Sequence, residues 1–141
     1  EPEATNLHDL VDEISEELRI TIEHRSNTLN NTLGPDQVIR QHRSILKMVI
    51  GNIVRNAVEH TSQGVITVTS ESGKLCISDN GEGIDPDSLA HVFERSYTTK
   101  STGYGMGLTL AKKLCERLDW QLTIHSEPGQ GTLVEINLQA Q

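Results

Sequence analysis

The order of strand-like and helix-like runs constrains the fold of this chain more than any single motif does. Two pairs of strand-like runs, 65–69 with 75–78 and 121–125 with 132–138, are each joined by a short turn-forming segment. Helix-like runs lie before and between these pairs. Because strands and helices are grouped rather than strictly alternating, the pattern predicts an α+β fold with one mixed sheet and its helices on a single face.

Apolar residues at helical spacing predict three helices of useful length. The first covers residues 7 to about 23, the second carries an apolar stripe over 46–57, and the third is marked by 108–118. A short helix is expected at 86–93. A further strand is expected at 27–33, ahead of a turn-forming Gly-Pro-Asp segment.

Size and charge exclude several classes of function. A length of 141 residues fits one domain, and aromatic residues are only 3%, so the core must be aliphatic. The formal net charge of −8 would repel phosphate backbones and anionic lipid, so we expect neither a nucleic-acid partner nor direct membrane contact. Cys76 and Cys115 lack metal-ligand spacing, which predicts two buried, reduced thiols.

The location expected for this chain is cytoplasmic. No apolar run approaches the ~18 residues that a membrane-spanning helix needs. The chain begins with a polar stretch unlike a signal peptide. The expectation holds whether or not a larger parent protein is anchored in a membrane.

A line of polar side chains accompanies the apolar stripe of the second long helix. At about 100° per residue, Asn52, Asn56 and Glu59 fall on one side, while Ile53 faces the core. This arrangement suits a helix that lines a ligand cleft, and it also suits a solvated helix face. His60 lies at the edge of the stripe and is compatible with a simple helix-end residue.

The segment Asp79-Asn80-Gly81-Glu82-Gly83 follows a strand-like run. It holds a carboxylate at the end of the sheet, where it can accept a hydrogen bond from an exocyclic amine. The two glycines let the backbone turn tightly and approach a flat ligand. The same residues are typical of an ordinary turn, so the motif alone leaves both interpretations open.

The segment Gly103-Tyr104-Gly105-Met106-Gly107 opens the third long helix. Its glycines expose unpaired backbone N–H groups and the positive end of the helix dipole to an anion. It is not a dinucleotide fingerprint, because the third glycine comes one residue early and no strand leads directly into it. It is not a Walker P-loop either, because Lys and Ser/Thr do not follow the last glycine. The pattern predicts a phosphate cradle of another kind.

Taken together and in this order, the motifs resemble those of the ATP-binding catalytic domain of sensor histidine kinases. Residues 52–61 (NIVRNAVEHT) resemble the N box, 79–83 (DNGEG) the G1 box, 93–95 (FER) the F box, 103–108 (GYGMGL) the G2 box and 129–132 (GQGT) the last glycine motif. The resemblance covers nearly the whole chain. It implies one catalytic and ATP-binding domain over 1–141, with the acceptor-histidine dimerisation domain absent and expected upstream of Glu1.

The fold that the resemblance implies is the Bergerat fold, which is shared with gyrase, heat-shock chaperone and mismatch-repair ATPases. It is a two-layer α/β sandwich with a mixed, mostly antiparallel sheet and its helices on one face. ATP lies between a helix and a mobile lid.

The resemblance also implies a role for each matching residue. Asp79 would bind the adenine amino group, and Thr132 would support Asp79 through its hydroxyl or a water. Asn56 would hold Mg²⁺, Asn52 would lie near the phosphates and the metal, and His60 takes the position where an aromatic ring often lies against adenine. The further nucleotide-binding residues implied are Gly81, Gly83, Lys100, Gly103, Gly105, Gly107 and Leu108.

Lys100 is the candidate γ-phosphate contact in the short lid between Phe93 and Gly103. Residues 97–100 (YTTK) are similar to the FTTK of short-lid histidine kinases. A solvated loop lysine is the alternative. Glu59 departs from the family's pattern, in which many members carry Lys, and its role stays open because an acid there repels phosphate unless metal or Lys100 offsets it.

The amide at Asn52 favours phosphoryl transfer over hydrolysis. Hydrolytic relatives place a glutamate at this position, and an amide cannot accept a proton from water at neutral pH. The resemblance therefore implies a kinase, with Asn52 and Lys100 catalytic, that phosphorylates a histidine on a separate helical-hairpin domain and so supplies a downstream response regulator. A hydrolytic ATPase, a serine-directed kinase and a non-catalytic nucleotide-binding module are the alternatives.

His8 begins a superficial match to an acceptor-histidine motif. No proline follows at the expected place, and only one helix of the needed hairpin is present. We interpret His8 as a residue of the first core helix rather than as a phosphate acceptor.

Overall fold

The structure is a computed structural model that describes residues 2–91 and 105–138, with no side chains described for 105–107. Its strands are β1 (Glu3–Asn6), β2 (Thr28–Asn31), β3 (Val38–Gln41), β4 (Val65–Glu71), β5 (Lys74–Asp79), β6 (Gln121–Glu127) and β7 (Gly131–Asn137). Its helices are α1 (Leu7–Glu17), α2 (Arg19–His24), α3 (Arg43–Glu59), α4 (Pro86–Ala90) and α5 (Gly105–Arg117).

The main sheet has five strands in the order β2-β4-β5-β7-β6. β2 pairs with β4 in parallel, and the other neighbours are antiparallel, which confirms the mixed, mostly antiparallel sheet. Strands β4 and β5 are joined by Ser72 and Gly73, whose φ angles are 52° and 81°. Two residues with positive φ form the type of turn whose twist matches a β-hairpin.

The long helices cover one face of the main sheet. Strand residues on that face are apolar, and one cross-strand row consists of Val68, Ile77, Val134 and Ile124. Buried aliphatic residues of α1, α3 and α5 join this row in a single core. The neighbouring row on the opposite face consists of Thr69, Cys76, Glu135 and Thr123. The predicted two-layer arrangement is therefore confirmed.

Both cysteines are free and buried, as predicted. Burial raises the pKa of the Cys115 thiol to about 11, and burial likewise raises the pKa of Cys76. Both thiols therefore stay protonated near neutral pH.

The first helix differs from its prediction, because it is divided into α1 and α2. Leu18 lies between them with φ −98° and ψ 6°. Its N–H is shared between the carbonyls of Ile14 and Ser15, at 3.0 and 3.2 Å, and this tight turn ends α1 before α2 begins.

The sequence patterns also missed β1 and β3, which pair antiparallel as a separate two-stranded sheet. Helix α4 ends at Ala90, and the rest of the predicted segment 86–93 beyond His91 lies outside the described residues. No helix in 2–91 or 105–138 has the length and apolar character needed to cross a membrane.

Candidate functional site

A partly buried carboxylate ends strand β5. Asp79 lies on the helix-facing side of the sheet, in register with Ile66 of β4 and Thr132 of β7. Burial raises the pKa of Asp79, while the backbone N–H groups of Gly81 and Thr132 counter that rise. The N–H of Gly81 donates to Asp79 Oδ1 over 2.9 Å. A carboxylate has more acceptor positions than these donors fill, so Asp79 can accept from a ligand.

The backbone at the end of α3 packs against this carboxylate. A Cβ at Gly81 would overlap the carbonyl oxygen of His60, and the N–H of Glu82 donates to the same carbonyl over 3.4 Å. The buried hydroxyl of Thr61 also counters the raised pKa of Asp79, although it completes no hydrogen bond of standard geometry. Thr61 is therefore a member of the site that the sequence motif contained without indicating its role.

Asp79, Thr132 and Ser126 form one cross-strand row on β5, β7 and β6. The structure thus places Thr132 directly beside the carboxylate that it is expected to support. Ser126 Oγ lies 2.8 Å from Thr132 Oγ1. It also accepts from the N–H of Ile84 over 2.8 Å and donates to the carbonyl of Gly131 over 2.9 Å. No sequence signal singled out Ser126.

The loop after β5 is held against the turn between β6 and β7. The N–H of Gly129 donates to the carbonyl of Glu82 over 2.8 Å. Gly83 has a φ of 74°, and a Cβ there would overlap the carbonyl oxygen of Glu127. Both the backbone angle and the close approach require glycine. Gly83 therefore has a packing partner in β6 besides the ligand approach that the sequence suggested.

The three polar residues predicted to lie along one side of α3 differ in how much of each is exposed to solvent. Asn56 is buried, with 9% of its surface exposed, Asn52 is half-buried and Glu59 is exposed. Asn52 borders a groove between α1, α3 and α5, together with Ile14 and Leu110. Exposure of Glu59 is what the solvated-face interpretation predicts for that residue.

His60 follows the last turn of α3. Its backbone N–H donates to the carbonyl of Asn56 over 3.1 Å. Its side chain is 13% exposed, and Nδ1 lies 4.0 Å from Glu82 Oε2. The imidazole is therefore near the loop after β5, with little of its surface in solvent.

Arg25 and Asn27, which precede β2, hold the segment that follows α3. Asn27 Nδ2 donates to the carbonyls of Val58 and Thr61 over 3.0 and 2.9 Å, and Asn27 Oδ1 accepts from the N–H of Gly64 over 3.1 Å. Arg25 Nε donates to the Thr61 carbonyl over 2.8 Å. These bonds fix the backbone of Thr61 beside the carboxylate. Local sequence patterns do not reveal them, because the partners are distant along the chain.

Helix α5 begins at Gly105, so Gly105 and Gly107 lie in its first turn, where backbone N–H groups have no helical partner. Leu108 is fully buried and belongs to the core. Its side chain therefore packs inside the protein, and its place among the nucleotide-binding residues stays a prediction. Lys100 and Gly103 lie outside the described residues, as does the 93–95 motif.

Comparison with known protein sequences finds similarity to sensor kinases. A family model described as "Histidine kinase-, DNA gyrase B-, and HSP90-like ATPase" matches residues 41–141. The sensor histidine kinase RppB of Synechocystis sp. is 31% identical over 144 residues, covering 94% of this chain and 32% of RppB. The sensor histidine kinase DcuS of Escherichia coli is 35% identical over 102 residues, covering 67% of this chain and 19% of DcuS. The chain thus spans a third or less of these two relatives.

Solved structures share the fold. Full-length ShkA in complex with AMPPNP matches with a TM-score of 0.82 at 21% identity, over 96% of this chain and 30% of that one. The mycobacterial sensor histidine kinase MprB matches with a TM-score of 0.80 at 23% identity, over 96% of this chain and 95% of that one. These likenesses confirm the predicted α+β fold.

Proposed function

Because this chain belongs to the histidine kinase-, DNA gyrase B- and HSP90-like ATPase family, we propose that it binds Mg-ATP and transfers the γ-phosphoryl group to a histidine. The acceptor is a separate helical-hairpin dimerisation domain of the parent protein, and the phosphohistidine then supplies a response regulator in the cytoplasm. The observation that carries the proposal is the Asp79 carboxylate, which is partly buried yet keeps acceptor positions open.

Recognition of adenine follows from the acceptors at the end of β5. A hydrogen bond to a desolvated acceptor is stronger than one in water. The adenine amino group therefore binds more strongly to Asp79 than it would to an acceptor in water. The buried Thr61 hydroxyl has no hydrogen bond of standard geometry, and a base or a bound water would complete one. Gly81 and Gly83 keep the backbone beside these groups free of side chains.

The residues present also fit magnesium and the phosphates. The side chain of Asn56 is nearly buried on α3, and its amide oxygen is a ligand of the kind that Mg²⁺ accepts when phosphate oxygens and waters complete the shell. When bound, Mg²⁺ would neutralise phosphate charge. The first turn of α5, with Gly105 and Gly107, would donate backbone N–H groups to phosphate oxygens. Lys100 remains the proposed γ-phosphate contact.

Transfer rather than hydrolysis is supported by the side chain at position 52. Asn52 offers an amide where a water-activating carboxylate is needed for hydrolysis. Phosphoryl transfer depends mainly on positioning and charge neutralisation. The base beside the acceptor histidine would come from the acceptor's own helix.

Replacing Asn56 by alanine is expected to weaken ATP binding in the presence of Mg²⁺ by about tenfold. Without Mg²⁺, ATP affinity should change less than about twofold, because the metal bridges the protein to the phosphates and not to the base. Calorimetric titrations with and without Mg²⁺ measure the difference. Asn30→Ala, an exposed asparagine on β2, is the matched control. An equal Mg²⁺ effect in wild type and Asn56→Ala would assign the metal to another residue.

Incubation of this chain with γ-labelled ATP and the parent's hairpin domain tests the transfer itself. We expect label on the hairpin domain, stable in base and lost in acid as phosphohistidine is. The chain should not label itself. Transfer should be slow, because separate domains forfeit the effective concentration that a covalent link provides. A hairpin domain lacking its acceptor histidine is the control.

Three other results would contradict this proposal. Rapid phosphate release from the chain alone, lost in Asn52→Ala, would identify a hydrolase. Acid-stable label on the partner would identify a serine- or threonine-directed kinase. ATP binding with neither label nor release would identify a regulatory nucleotide-binding module.

A further inference from the structure

Ser126, near the end of β6, interacts with three neighbours at once. Its Oγ accepts from the N–H of Ile84, donates to the carbonyl of Gly131 and lies 2.8 Å from Thr132 Oγ1. A serine hydroxyl has one proton and two acceptor positions. Because the Gly131 carbonyl can only accept, the 2.9 Å contact assigns the serine proton to it. The Thr132 hydroxyl then donates its own proton to Ser126.

This arrangement leaves Thr132 with lone pairs but no free proton. Thr132 is buried, with 6% of its surface exposed, and lies in register with Asp79 on the adjacent strand. Asp79 is also an acceptor. Two neighbouring acceptors suit an amino group, which carries two protons, or a water that donates to both. They disfavour a carbonyl oxygen, because neither of these two groups can donate a proton to it.

We infer that Ser126 is a positioning residue that increases the selectivity of the site for a 6-amino purine over a 6-oxo purine, by holding the Thr132 proton away from the base. The inference rests on the proposed nucleotide binding at Asp79. Ser126 acts through Thr132 and does not itself contact the base. Its orientation is fixed because the loop at Ile84 and the strand at Gly131 both bond to it.

The test compares ADP with inosine diphosphate, which carries an oxo group where adenine carries its amino group. In Ser126→Ala the Thr132 hydroxyl loses its acceptor and can donate to Asp79 or toward the base, and either choice removes an acceptor for the amino group. We expect the ratio of the dissociation constant for inosine diphosphate to that for ADP, measured by calorimetry, to fall by about tenfold. Ser126→Thr, which keeps the hydroxyl, should retain the wild-type ratio.

Equal weakening of both nucleotides in Ser126→Ala, with an unchanged ratio, would show a purely structural role and overturn the inference. If that variant does not fold, because the Ile84 N–H loses its partner, Thr132→Val removes the hydroxyl that Ser126 orients. An unchanged ratio in Thr132→Val would overturn the inference equally. Thr123→Ala, on the opposite face of β6, is the control. Failure of the wild-type chain to bind either nucleotide would refute the proposed function instead, so the two failures are distinguishable.

Discussion

Replacing Asp79 by asparagine is expected to weaken ADP binding by about a hundredfold, equivalent to about 2.7 kcal/mol. The two side chains have nearly the same shape, but an amide presents two donor hydrogens where a carboxylate presents only lone pairs. The N–H of Gly81 takes the amide oxygen as its acceptor, so the NH₂ group is left opposite the adenine amino group. Neither donor then has an acceptor, and such a mismatch is costly. Titration calorimetry with ADP measures the loss.

Unfolding measurements separate loss of recognition from loss of the fold in this variant. Burial raises the pKa of Asp79, so the folded chain binds the proton more tightly than the unfolded chain does. The free energy of unfolding therefore falls as the pH rises between the unfolded and the folded pKa. The neutral amide lacks this cost, so Asp79→Asn should not unfold more easily than wild type at neutral pH.

The matched control for this substitution is Asp119→Asn. Asp119 is exposed and has a φ of 59°, a conformation that asparagine tolerates. We expect its ADP affinity to stay at the wild-type value. An affinity of Asp79→Asn within about twofold of wild type would remove Asp79 from the adenine site.

Parts of the fold that carry local signals could be predicted from the sequence. The Ser72-Gly73 pair marks the turn between β4 and β5, and the apolar stripe over 46–57 marks α3. Strands β1 and β3 could not be predicted in this way. Each has four residues, too few for a clear alternating pattern, and their pairing joins Glu3 to Gln41 through tertiary contacts.

The residues of the candidate site also differ in whether the sequence predicts them. Asp79 and the two glycines after it stand in one uninterrupted segment, so the sequence places a carboxylate at a strand end. Asn27 and Ser126 act across long separations or across strands, and nothing in their immediate neighbourhood marks them. Local motifs therefore indicate which residues face a ligand better than they indicate which residues hold those groups in place.

Substitution of Gly83 by alanine is expected to lower the free energy of unfolding by about 3 kcal/mol or more, a large share of the roughly 5–15 kcal/mol of a typical domain. The added Cβ meets the carbonyl of Glu127, a backbone atom that cannot rotate away. The left-handed φ of Gly83 adds about 1 kcal/mol of strain. Relief requires the loop to leave β6, which breaks the bond from the Gly129 N–H to the Glu82 carbonyl. Denaturant unfolding measures the loss.

Gly129→Ala is the control that isolates backbone strain from the overlap. Gly129 has a φ of 78°, close to that of Gly83, but a Cβ there meets nothing within 4 Å. We expect Gly129→Ala to lower the free energy of unfolding by about 1 kcal/mol. Equal losses in the two variants would contradict the close packing of the loop on β6. Because that loop also carries Gly81, whose N–H bonds to Asp79, ADP affinity should fall in Gly83→Ala and remain near wild type in Gly129→Ala.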